Sequence, residues 1–77
     1  MNMLDEYKEF ADELNKLNLI NSIDNSDVSM HWRRLERTLR SINANNNSDV
    51  ERILLESDFR VSLRHVKQWL VGQKKKS

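Results

Sequence analysis

Three arginines in the middle of the chain are spaced so that an α-helix would carry them on one face. Arg33, Arg37 and Arg40 lie four and three residues apart, and residues at that spacing are neighbours on a helix surface. Guanidinium groups bind carboxylates and phosphates. The row therefore predicts a binding site for a protein partner with an acidic surface. The alternative is a solvated face that pairs with acidic residues of the same chain.

A second basic set lies within and after the stretch DFRVSLRHVKQWL, residues 58–70. Its register is typical of a helix-turn-helix, with the turn at 58–61 and Ser62 capping the second helix. Long cations neutralise phosphates, and Arg and Gln bond base edges, so the second helix could read a DNA duplex. Glu56 and Arg60 depart from the motif, which favours a small residue and a glycine at these positions, so DNA binding is the alternative to a protein partner. The candidate nucleic-acid-binding residues are Arg60, Arg64, Lys67, Gln68, Lys74, Lys75 and Lys76.

Residue types that catalyse reactions or bind metals form no recognisable site in the sequence. His31 and His65 are the two histidines, they have no further ligand at a metal-binding spacing, and the chain contains no cysteine. The prominent serines precede predicted helices, where capping of the backbone explains them. We expect neither an enzyme nor a cofactor, and we expect both histidines on the surface.

Apolar residues recur at helical spacing in four segments, which predict an all-α, compact four-helix domain. The motif NSDV occurs twice, at 25–28 and 47–50, and each copy predicts a helix start because Ser caps and Asp suits the helix dipole. The last two helices form the helix-turn-helix-like C-terminal pair. The predicted helices cover residues 4–17, 27–42, 49–57 and 62–72.

The charge of the chain is unevenly distributed along its length. Seven acids and two lysines give residues 1–29 a net charge of −5, whereas eleven Lys and Arg against five acids give residues 30–77 a net charge of +6. We expect a single domain with an acidic head (1–29), a basic helical body (30–72) and a flexible basic tail (73–77). The asymmetry predicts internal pairing or a partner with an anionic surface.

The small size of the chain bears on its stability and its oligomeric state. Seventy-seven residues leave little room for a core, so we expect Trp32 and Trp69 to be buried in it. We also expect a homodimer, in which Tyr7, Phe10 and Leu17 are the exposed contact residues. No apolar run reaches the about 20 residues that span a bilayer, and no secretory signal is visible. We therefore expect a cytoplasmic protein without a transmembrane segment.

Part of the chain resembles the YehS-like family of bacterial proteins, a domain of unknown function. The resemblance covers about residues 32–71 and rests on Trp32 to Leu35 with Leu39, on the polar helix start at 47–49, and on a final, mostly apolar series. It implies an all-α fold and no particular activity, and the chain has one repeat where the family has two. The final series consists of Phe59, Val61, Ser62, Val66, Trp69 and Leu70.

These observations favour a small non-catalytic intracellular regulatory protein that acts by binding a protein partner. The alternative is a helix-turn-helix DNA-binding protein that uses the helix at 62–72. Nine asparagines are typical of an A+T-rich genome, such as those of many phages. A phage-encoded modulator of host or lysis machinery is therefore a further expectation.

Overall fold

The computed structural model describes residues 2–44 and 47–76 as four α-helices and their connections. These are α1 (Met3–Lys16), α2 (Ile20–Asp24), α3 (Ser29–Asn43) and α4 (Asp49–Lys75). The described residues contain no strand, so the prediction of an all-α, four-helix fold is confirmed. None of the described helices is long and apolar enough to cross a membrane. Parts of the predicted acidic head, of the connection between the predicted helices 27–42 and 49–57, and of the basic tail lie outside the described residues, namely Met1, Asn45, Asn46 and Ser77.

Polar side chains and a left-handed residue set the ends of α1. The Asn2 side chain accepts a hydrogen bond from the Asp5 backbone N–H at 2.8 Å, which satisfies one of the free donors of the first turn. Asn18 has a positive φ of 56°, a conformation that ends helices and that Asn tolerates better than most residues. The connection predicted after α1 is itself a short helix, α2, which buries Ile23 against the core.

The two NSDV motifs serve different purposes in the fold. Ser26 of the first copy accepts a hydrogen bond from the Val28 N–H and donates one to the Ile23 carbonyl. It therefore stabilises the turn after α2, and α3 begins at Ser29 rather than at residue 27. Ser48 of the second copy caps α4 as predicted, because its Oγ accepts a hydrogen bond from the Glu51 N–H at 3.2 Å.

The prediction of a helix-turn-helix-like C-terminal pair is wrong, because α4 is one continuous helix of 27 residues. Residues 58–61 contain no Gly or Pro to break it. Phe59, Ser62 and Val66, three and four residues apart, keep one face of α4 buried across the predicted turn. Ser62 is consequently buried in the middle of the helix and does not cap one.

The predicted flexible tail from residue 73 is also helical as far as Lys75. Gly72, the residue before this tail, has the cost of about 1 kcal/mol that glycine carries in a helix interior. Lys74 forms an ion pair with Glu13 of α1, which ties the last turn of α4 to the body of the protein. Gly72 therefore does not end the helix.

The core lies where α1 and α2 pack against the antiparallel pair of α3 and α4. The antiparallel direction follows from two contacts, since His31 approaches Ser62 while Ser41 lines the same depression as Leu55. Trp32 and Trp69 are packed against the core but only half-buried, which corrects the prediction that both are core residues. The buried apolar residues are Phe10, Leu14, Ile23, Leu35, Leu39, Phe59, Leu63, Val66 and Leu70.

The first turns of α4 extend past the region covered by α1. Glu6, near the start of α1, pairs with Arg60, so α1 runs beside α4 from about that point towards Lys74. Val50, Ile53 and Leu54 precede this contact and are 60 to 67% exposed. The described chain measures 44 × 20 × 20 Å along its principal axes, which reflects the length of α4.

Candidate protein-binding surface

The three arginines predicted to share a face do so on the outer side of α3. Leu35, Leu39 and the buried Thr38 occupy the opposite side of this helix and turn it towards the core. Arg33, Arg37 and Arg40 are all exposed. We call these three residues the arginine ridge. The structure thus brings the predicted partner-binding residues together on one accessible surface.

The arginine ridge does not pair with the acidic first helix. Arg40 pairs with Glu36 on its own helix, at 2.8 Å. Arg33 and Arg37 have no ion-pair partner within residues 2–44 and 47–76. Two guanidinium groups of the ridge therefore remain available to a binding partner.

Two of the acids of α1 pair with α4 instead. Glu6 binds Arg60, and Glu13 binds Lys74. The hydrogen bond from Arg60 holds the pKa of the Glu6 carboxyl below its usual value, and the same bond raises the pKa of Arg60. Internal pairing, which the uneven charge of the chain predicted, thus joins α1 to α4.

A polar depression of about 480 Å³ lies beside the ridge, between α3 and α4. Arg34 and Arg37 form its cationic side, and Asp58 of α4 lies on the other side. The Thr38 hydroxyl donates to the Arg34 carbonyl at 2.7 Å, so this buried side chain is satisfied within the helix. A carboxylate side chain entering the depression would meet two guanidinium groups.

Met30 adds an exposed apolar side chain at the start of the ridge. It precedes Arg33 by three residues and Arg37 by seven, which places it on the same face of α3. Its side chain is 56% exposed. Methionine is flexible and adapts to varied partner surfaces, so the ridge combines cationic groups with one apolar contact.

Most of the predicted nucleic-acid-binding residues line an open groove of about 1470 Å³ between α1 and α4. The α1 side of this groove carries the acids Glu6, Glu9, Asp12 and Glu13, which repel phosphates. Lys75 and Lys76 lie beyond it, at the exposed end of α4. DNA binding remains a prediction, but the helix-turn-helix on which it was based is absent. The predicted residues in the groove are Arg60, Arg64, Lys67, Gln68 and Lys74.

The two histidines stack on each other, which the sequence did not reveal because they are far apart along the chain. The ring centroids of His31 and His65 are 4.1 Å apart with an interplanar angle of 8°. His31 Nδ1 lies 3.3 Å from the Oγ of buried Ser62. Burial lowers the pKa of His31, and the nearby His65 and Arg34 lower it further. No group of three or more potential metal ligands occurs in the described part of the chain.

The predicted contacts for self-association lie elsewhere in the fold. Phe10 is buried in the core, and Tyr7 is half-buried with its ring stacked on Trp32 at 5.2 Å. Of the three candidates only Leu17 is largely exposed. The prediction that Tyr7 and Phe10 are exposed contacts is therefore wrong, since helical packing places both rings against α3.

Comparison with known proteins gives no assignment for this surface. No family model, no curated protein and no solved structure matches the chain, and the resemblance to the YehS-like family stays a prediction from the sequence.

Proposed function

We propose that this is a non-catalytic binding protein that recognises an acidic protein surface through the arginine ridge of α3. One observation carries the proposal: Arg33 and Arg37 are exposed and lack an ion pair within the described residues, whereas Glu6 and Glu13 of α1 are engaged by α4. The acids of α1 that form ion pairs are thus bound by α4, and Arg33 and Arg37 can bind a partner.

The spacing of the ridge suits a partner with regularly placed carboxylates. Arg33 and Arg40 are seven residues apart, which is about 10 Å along a helix. A partner helix with acids at three- and four-residue steps presents charges at the same intervals. Exposed ion pairs contribute about 0–1 kcal/mol each, so the arginines act together and chiefly promote association and specificity.

The surroundings of the ridge favour a protein over a nucleic acid. Met30 offers an apolar contact that a protein partner can bury. The whole chain has a net charge of only +1, whereas proteins that bind nucleic acid through phosphate contacts are usually strongly basic.

Affinity capture from cells that contain the partner tests the proposal. We expect tagged wild-type protein to retain an acidic protein in a salt-sensitive manner. Changing Arg33→Glu with Arg37→Glu should abolish retention by repulsion between like charges. The matched control is Lys8→Glu with Lys16→Glu, which changes the net charge equally at exposed positions of α1 and should retain the partner.

A duplex DNA binding assay at low salt separates the two classes of partner. We expect at most weak binding by the wild type. Tight binding that falls steeply with salt and disappears in the Arg33→Glu, Arg37→Glu variant would contradict a protein partner. Equal capture of the acidic protein by the ridge variant and the α1 control would also contradict the proposal.

A further inference from the structure

The start of α3 is held by contacts with other helices rather than by a cap of its own. Val28 stands at the cap position, and its apolar side chain makes no hydrogen bond to the first turn. On one side of this turn, Trp32 stacks on Tyr7 of α1 with the ring centroids 5.2 Å apart. On the other side, His31 stacks on His65 of α4 at 4.1 Å. One aromatic stack on each side therefore fixes the first turn of α3.

The His31 contact also joins α3 to a buried polar group of α4. His31 Nδ1 lies 3.3 Å from the Oγ of Ser62, whose side chain is fully buried. His65 follows Ser62 by three residues, so the two lie on neighbouring positions of the same side of α4. The two rings therefore close the boundary between α3 and α4 at Ser62.

The charges around the stack oppose its protonation. His31 is the third residue of α3, where the helix dipole disfavours a cation. Arg34 of α3 and His65 of α4 are the charged or titratable groups that act on His31, and the described residues of α1 and α2 contribute none. No carboxylate in the described part of the chain forms an ion pair with either histidine. A proton on each ring would therefore place two cations side by side without a counter-ion.

We propose that the stacked histidines are a pH-sensitive latch between α3 and α4. At neutral pH the uncharged rings hold the first turn of α3 against α4. As the pH falls below about 6.5, where histidine ordinarily takes up a proton, the rings separate and Trp32 alone holds this turn. The following turns of α3 stay in place because Leu35 and Leu39 are buried in the core. The latch thus opens one end of the helix while the rest of the fold stays closed.

The latch controls one end of the arginine ridge. The first turns of α3 carry Arg33 and the exposed Met30, and both side chains lose their fixed position when this end of the helix opens. The protons are taken up on the side of α3 that faces α4, away from the ridge. Under the function proposed above, on which this step rests, the protein should therefore release its acidic partner in acid.

Amide hydrogen exchange of the full chain tests the latch without any partner. The Trp32 N–H donates to the Val28 carbonyl at 3.0 Å and reports on the first turn of α3. We expect its protection factor to fall several-fold from pH 7 to pH 5. Its exchange should be insensitive to low concentrations of urea, because a local opening exposes little surface. Leu39, buried further along α3, should exchange through global unfolding, which urea promotes.

The double variant His31→Gln, His65→Gln is the control, because it contains no histidine. Circular dichroism verifies that it is helical, and its Trp32 protection factor should be the same at pH 7 and pH 5. A wild-type protection factor that does not change with pH would overturn the latch. An acid loss that persists in the double variant, or Trp32 exchange that depends on urea as strongly as Leu39 exchange, would also overturn it.

Capture of the acidic partner at pH 7 and pH 5.5 tests the control of the ridge. Retention by the wild type should fall at pH 5.5, whereas retention by the double variant should not. Equal wild-type retention at both pH values would overturn control of the ridge by the latch. Absence of retention at pH 7 would contradict the proposed function instead, and amide exchange would still decide whether the latch exists.

Discussion

His31 of α3 and His65 of α4 stack with their ring centroids 4.1 Å apart, so the two histidines form one contact between the helices. The pKa of His31 is lowered from 6.5, first by burial and then by His65 and Arg34. The unfolded chain therefore binds a proton at this site more tightly than the folded protein does. Stability should be fully present above about pH 6.5 and decrease as the pH falls through the lower pKa of folded His31.

Urea unfolding at a series of pH values measures this effect. His31→Gln should remove the acid sensitivity between pH 6.5 and the range in which carboxylates titrate. The carboxyl of Glu6, whose pKa lies below 4.5, loses its contribution only in more acidic solution, so the two effects are separable. A wild type whose urea midpoint is constant down to pH 5 would contradict the role of the stack.

Phe59 is the residue whose truncation should destabilise the fold most clearly. Its side chain is fully buried, and Phe→Ala changes in cores cost about 3–5 kcal/mol. Trp69→Ala should cost less than Phe59→Ala, because Trp69 is only half-buried at the edge of the core. Chemical unfolding of the two variants gives the comparison, and a greater loss for Trp69→Ala would show that the tryptophan completes the core.

The continuity of α4 can be tested at Asp58, an exposed residue in the middle of the helix. Glycine is about 1 kcal/mol less favourable than alanine in a helix interior. The free energy of unfolding of Asp58→Gly should therefore be about 1 kcal/mol lower than that of Asp58→Ala. In urea, the glycine variant should unfold at a lower concentration. A glycine variant as stable as the alanine variant would instead indicate the turn of a helix-turn-helix.

Local patterns predicted α1, α3 and the start of α4 to within two residues of their observed bounds. Ser48 caps α4 as predicted. Leu35 and Leu39 of α3 lie in the core of the protein, as their spacing indicated. The stretch at 58–61 was misread because Ser62 is as suitable for a cap as for a buried mid-helix position. Only the packing of Phe59 and Val66 against the other helices decides between the two.

The candidate site was predictable in position but not in its pairing. The shared face of Arg33, Arg37 and Arg40 follows from helical periodicity alone. Which of two basic clusters meets the acids of α1 depends on how the helices are arranged in space. The same arrangement brings His31 to His65, a contact between distant parts of the sequence that no local spacing encodes.

The most direct measurement of the central claim is photo-cross-linking to the acidic partner from two single-cysteine positions. Asn43→Cys lies at the end of α3, close to the arginine ridge, and Asn15→Cys lies on α1; both asparagines are exposed. With a benzophenone label on each thiol, we predict partner adducts from position 43 and few from position 15. Adding Arg33→Glu and Arg37→Glu should abolish the adducts at position 43. Equal adducts from the two positions, or adducts at position 43 that persist after charge reversal, would contradict binding through the arginine ridge.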